Sequence, residues 1–127
     1  RSLGGGAELL CCHGSPRSYD ERLDAWTPEA AVSAWLGGRR ADVLACGHTH
    51  EPLLRRLGAR VLVNPGSVGM PHLAGRNPLW AEYAVVDWGP GGAALTLRRA
   101  PVGLDALRRS VRQSGMPHAD WWLKDWR

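Results

Sequence analysis

Asp42-Val-Leu-Ala-Cys-Gly-His-Thr-His50 decides how this chain is read. Asp42–Cys46 is an apolar run of the length of a buried strand, and it breaks at Gly47 into a polar segment carrying two histidines. An earlier stretch has the same form: Glu8-Leu-Leu-Cys-Cys12 is apolar and runs into His13-Gly-Ser-Pro16. Two buried strands that each end in a histidine-bearing loop point to an α/β sheet whose chemistry sits at the carboxyl ends of its strands. In extended backbone, residues i and i+2 project to one side, so His48 and His50 are expected to enter one cleft, with His13 beside them. Gly14 and Gly47 are expected to supply the sharp turns at these loops.

Outward from these strands, Thr27-Pro28-Glu29 reads as a helix start, with a capping hydroxyl, Pro at the first helical position and an acid in the first turn. That helix presents Ala31, Val32, Trp35 and Leu36 to the core and stops at Gly37-Gly38. Residues 17–26 are polar and read as an excursion over the surface. Leu53–Leu57 and Arg60–Val63 flank Gly58-Ala59 as a hairpin, and Asn64-Pro-Gly-Ser-Val-Gly69 follows as a tight turn. Ala81–Trp88 alternates as a strand, and Gly89-Pro-Gly-Gly92 returns it to Ala94–Arg99. Leu104, Leu107 and Val111 recur at helical spacing, and the tail with Trp121, Trp122 and Trp126 is expected to pack against the sheet. Gly4-Gly5-Gly6 lacks the Lys-Ser/Thr of a phosphate loop and reads as a flexible connector.

The chain has 127 residues, enough for one domain, and its first residue is Arg1. Hydrophobic residues at 44% and charged residues at 22% are ordinary globular values, which excludes disordered and collagen-like classes. No apolar run approaches the roughly 18–20 residues of a membrane span, so no membrane partner is expected. The net charge of +4 comes from 15 Arg and one Lys against 12 acids. The arginines are dispersed and not interleaved with stacking aromatics, so nucleic acid is not the expected partner. Three cysteines, Cys11, Cys12 and Cys46, do not make a disulfide framework and suit a reducing, cytoplasmic setting.

Lesser candidates surround the histidines. Arg17 could fork onto a substrate phosphate or pair with a carboxylate. Asn64 could orient substrate, though capping the turn is the favoured reading. Cys12 and Cys46 near His13 and His48 could hold a structural zinc, but their spacing matches no zinc motif and core packing is favoured. Ser15 has no evident base, and His72 and His118 read as ordinary loop residues.

Taken together, His13-Gly14, Gly47-His48-Thr49-His50, His13-Gly-Ser-Pro-Arg17, Asn64-Pro-Gly-Ser-Val-Gly69 and Ala81-Glu-Tyr-Ala-Val-Val-Asp87 resemble a bacterial phosphodiesterase-like branch of the calcineurin-like metallophosphoesterases. The resemblance runs from about Glu8 to Trp126, in order. It implies an α/β fold, part of a four-layer α-β-β-α sandwich, and hydrolysis of a phosphodiester or phosphomonoester by a metal-activated hydroxide at a dinuclear site. It further implies that His13 and His48 ligate one divalent transition metal and His50 the other, the pair being Mn, Fe, Ni or Zn. The expected partner is a phosphodiester or small phosphorylated substrate.

The sequence departs from that pattern at the first three motifs of the family. No Asp-x-His, Gly-Asp or Asn-His occurs in these residues. Three neutral imidazoles neither offset two dications nor bridge them. Residues 1–127 are therefore expected to form a single, partial domain, the C-terminal half of the sandwich, with the carboxylate-bearing half preceding Arg1. The alternative is a non-catalytic binding or assembly module.

Overall fold

Three short apolar segments, each too brief to form a stable helix alone, solve their burial problem by pairing side by side. The computed structural model describes residues 1–71 and 73–126, so the loop reading of His72 lies outside the described residues. Strand β2 (Ala7–Cys11) pairs in parallel with β3 (Val43–Ala45), and β3 pairs in parallel with β5 (Arg60–Asn64). The hairpin partner β4 (Leu53–Leu57) closes one edge and β1 (Ser2–Gly4) the other, giving a mixed five-stranded sheet in the order β1-β2-β3-β5-β4. A two-stranded antiparallel ribbon follows, β6 (Trp80–Gly89) and β7 (Gly92–Pro101).

The register settles which side chains share a face. Leu10, Leu44 and Leu62 lie in one cross-strand row, and helix α1 (Glu29–Leu36) covers it. The core there is Leu23, Val32, Leu36, Ala41, Leu44, Cys46, Leu57 and Leu62, with Leu10, Cys12, Trp35 and Leu53 packed around it. Burying each large side chain contributes about 1.5–3 kcal/mol, which is what holds strands of three to five residues in place. Val43 and Val63 are fully buried on the opposite face. The ribbon lies along that face: Trp88, Gly92 and Ala93 line one groove with Val61 and Arg56 of the sheet, and Glu82 bonds Ser67 beyond the end of β5. Helices α2 (Leu104–Gln113) and α3 (Ala119–Leu123) pack together at the end of the chain.

Four expectations change. Gly4–Gly6 is a hairpin turn joining β1 to β2, not a connector, and all three glycines take positive φ to make it. The 17–26 stretch is anchored and not simply superficial, because Leu23 is fully buried in the α1 core. Thr27 does not cap α1; its hydroxyl donates to Asp24 Oδ1 at 3.0 Å and accepts from the Asp24 amide at 3.1 Å, so the cap position falls to Pro28. The Trp tail meets the loop before β6: Trp126 is buried and bridges Asn77, Trp122 stacks against it at 4.9 Å, and Trp121 is exposed.

Leu44→Ala removes the centre of the α1-facing row. It is expected to lower unfolding free energy by about 2–5 kcal/mol, read from urea denaturation of the variant beside the parent protein.

Candidate metal centre

The parallel ladder sends the chain out of β2 and β3 in the same direction, so both loops emerge side by side. The ladder reaches its end where Cys46 N donates to Val63 O at 2.9 Å and Cys12 N to Ala45 O at 2.9 Å. One residue on, Gly47 N donates to His13 O at 2.8 Å, tying the two histidine loops together. The result is that His13 Nε2 and His48 Nδ1 lie 3.3 Å apart, with their rings edge to face at 73°.

The way the loop achieves this differs from the extended arrangement read from sequence. His48 and His50 both adopt left-handed backbone, with φ of 68° and 58°, so the segment coils and the i, i+2 argument does not apply. Gly47 and Gly14 are not the residues with positive φ. Gly14 is needed for a different reason: a Cβ there would lie 2.6–2.8 Å from the carbonyl oxygens of Tyr19, Glu21 and Ser18, which fold over it.

That covering loop is stapled from within. Ser15 is buried, accepts from the amides of Arg17 and Ser18, and donates to Glu21 Oε2 at 2.5 Å. Its hydroxyl faces a carboxylate and no imidazole, so it serves the loop. Arg17 forks onto Glu21, with Nε 2.9 Å from Oε2, and its guanidinium lies 4.7 Å from the centre of the Trp35 ring. The Arg17 hydrogen bonds and the Ser15 hydroxyl hold the Glu21 carboxyl below its ordinary range. Asn64, fully buried at the end of β5, does more than cap its turn. Its Oδ1 accepts from Gly66 N at 3.0 Å while its Nδ2 donates to Gly47 O at 3.0 Å and Thr49 Oγ1 at 2.9 Å.

Cys12 and Cys46 sit in or against the α1 core, and no zinc cluster forms around them. Among the described residues, no group of three or more His, Cys, Asp or Glu side chains converges as a metal cage. The His13–His48 pair nevertheless fits two positions on one ion, because metal–nitrogen bonds of about 2.05 Å in a tetrahedron separate the nitrogens by about 3.3 Å. The donor set therefore matches part of one ion's shell, and among the described residues no cluster of carboxylates joins it to make a two-metal site.

Burial pushes the Cys46 thiol up to about 12 from 9.0, and Cys12 is also raised by burial.

The sequence profile of the calcineurin-like phosphoesterase superfamily domain matches residues 2–89. The chain belongs to that superfamily. A probable metallophosphoesterase of Methanothermobacter thermautotrophicus is 58% identical over 33 residues, which are 26% of this chain and 19% of that protein. Two solved structures share the fold: a metallophosphoesterase from Sphaerobacter thermophilus, with a TM-score of 0.65 and 21% identity, and a hypothetical protein from Pyrococcus horikoshii, with 0.67 and 19%. The chain is covered to 94% and 90% in these superpositions, but it spans only 55% and 44% of their lengths. The superfamily is one of hydrolases that typically bind divalent metals. No helix among the described residues is long and apolar enough to cross a membrane.

The thiols give a direct check on this packing. Cys11 is exposed whereas Cys46 is buried, so one thiol is expected to react quickly with a colorimetric disulfide reagent at neutral pH and all three after denaturation. The raised thiol also sets a sign. A thiol whose folded value lies above its unfolded value stabilises the fold fully below pH 9 and loses that contribution as pH rises towards 12. Thermal melts of the parent and Cys46→Ala proteins should therefore converge with rising alkalinity over that window.

Proposed function

We propose that this chain supplies the imidazole side of a metal-dependent phosphoesterase centre. His13 and His48 would hold one divalent ion and His50 a second, with Mn, Fe, Ni and Zn all suited to imidazole. The observation that carries the reading is the 3.3 Å approach of two imidazole nitrogens from two strand-end loops. Membership of the phosphoesterase superfamily supports the reaction class.

Ions bound there would supply Lewis-acid stabilisation of charge on the phosphoryl oxygens. The chain's own contribution is positional. The Gly47 N–H bond to His13 O ties the loops together, and imidazoles in their neutral form would hold a metal ion without cancelling its charge. Carboxylates must offset that charge, and in this reading they come from protein outside these residues. Residues 1–127 then act as one part of a single catalytic domain. The substrate is a phosphodiester, or a phosphomonoester such as a small phosphorylated metabolite, with no nucleic acid or membrane required. Arg17 joins substrate binding only by exchanging Glu21 for a phosphate oxygen, a swap its forked geometry permits. The three unpaired thiols support a cytoplasmic location.

Hydrolysis of bis(p-nitrophenyl) phosphate with Mn²⁺ tests the reading. The chain alone is expected to show negligible turnover, and the polypeptide extended with the upstream reading frame to show metal-dependent turnover. His48→Ala or His50→Ala in the extended protein should lower it by about 10²-fold or more. An extended protein that binds phosphate esters but turns none over would point instead to a non-catalytic binding module. Turnover indifferent to both substitutions would remove the histidines from the site.

A further inference from the structure

We infer that Asn64 is a positioning residue for the imidazole pair, holding His48 against His13; the inference rests on the metal-centre reading of those histidines. The backbone ladder between β3 and β5 stops at the Cys46–Val63 bond, so the loop beyond has no strand partner. The Asn64 side chain takes over there. Its amide bonds the carbonyl of Gly47 and the hydroxyl of Thr49, one residue on either side of His48. The N–H of the same residue, in the preceding peptide unit, donates to His13 O. Gly47 is thus held from both ends, and through it the spacing of the two imidazoles is set.

The hold is needed because left-handed backbone at a residue with a Cβ is unfavourable by about 1–2 kcal/mol, and this loop contains two such residues, His48 and His50. Asn64 is itself immobilised. It is fully buried, and its Oδ1 is engaged by Gly66 N in a turn where a Cβ on Gly66 would collide with Glu82 and Pro52. Glu82 is buried, lies 3.4 Å from Ser67 N, and accepts from Trp80 Nε1 and Arg99 Nε. The far side of the turn is therefore locked to the β6–β7 ribbon. A short side chain with two N–H donors and one acceptor is required at this point, a set that Asp lacks.

Asn64→Asp separates positioning from turn capping. It keeps the oxygen for Gly66 N but puts a second acceptor against the Gly47 carbonyl. Thr49→Val removes the hydroxyl arm, together with the longer 3.3 Å bond from Glu51 N to the same oxygen, and covers the case in which Asn64→Asp does not fold. Two readouts are taken on the 127-residue chain: the nuclear Overhauser effect between the His13 and His48 ring protons without metal, and Zn²⁺ affinity by calorimetry. We expect the parent chain to show the ring contact. Asn64→Asp should lose it and bind Zn²⁺ about 10–100-fold more weakly, while Thr49→Val should show a smaller loss of both. If a folded Asn64→Asp keeps the ring contact and parental Zn²⁺ affinity, Asn64 only caps the turn and the inference is overturned. If it does not fold, an unchanged Thr49→Val overturns it. If the parent chain binds no Zn²⁺, positioning is decided on the ring contact alone, and the metal-centre reading stands or falls separately on the turnover of the extended protein.

Discussion

The parallel pairing of β2, β3 and β5 is the constraint from which the rest of this molecule follows. Parallel neighbours must be joined by crossovers, so the chain leaves each strand at the same edge and returns elsewhere. The β2-to-β3 crossover contains α1, and its burial of Leu36, Val32 and Leu23 against Leu44 and Leu62 keeps the short strands paired. At the shared edge, His13, Gly47 and Asn64 follow or end consecutive strands of the sheet. Their proximity is a consequence of strand order, itself made by pairing segments some 18 to 34 residues apart in the chain.

At that edge, regular hydrogen bonding gives way to side-chain substitutes. Gly47 is bonded through its N–H to the β2 loop and through its carbonyl to the end of β5. The strained residues lie immediately beyond it, at His48 and His50. Strain of this kind persists where the surroundings over-determine it, and here the surroundings are a fully buried asparagine and a turn locked by a buried glutamate. The adjoining 14–21 loop is rigidified separately, by the Ser15–Glu21–Arg17 network and the Trp35 ring beneath Arg17.

Two imidazoles meet at this edge, and among the described residues no third His, Cys, Asp or Glu side chain joins them as a metal cage. Neutral nitrogen donors bind transition metals well but leave the charge of the ion uncompensated, so the arrangement makes chemical sense as one side of a larger shell.

Much of this was legible in the residues. The apolar runs ending at Cys12 and Cys46, the Gly58-Ala59 and Pro90-Gly91 turns and the helix stop at Gly37 all follow from local pattern, because turn chemistry and strand burial act over a few residues, and the superfamily was legible as a resemblance of motifs. Other features depended on partners far along the chain. Leu23 reads as loop until the α1 core encloses it, and Thr27 reads as a cap until Asp24 takes its hydroxyl. The same holds for the site. The sequence by itself determined that His13, His48 and His50 follow apolar strands, since hydrophobic runs and breakers are local, but not that the strand before His13 is only partly covered, with Cys11 exposed. Only the tertiary structure decided that His48 and His50 coil in left-handed backbone and that the Asn64 amide bonds Gly47 and Thr49 on either side of His48. Those outcomes depend on hydrogen bonds between residues 15 to 35 positions apart, whose geometry no local pattern encodes.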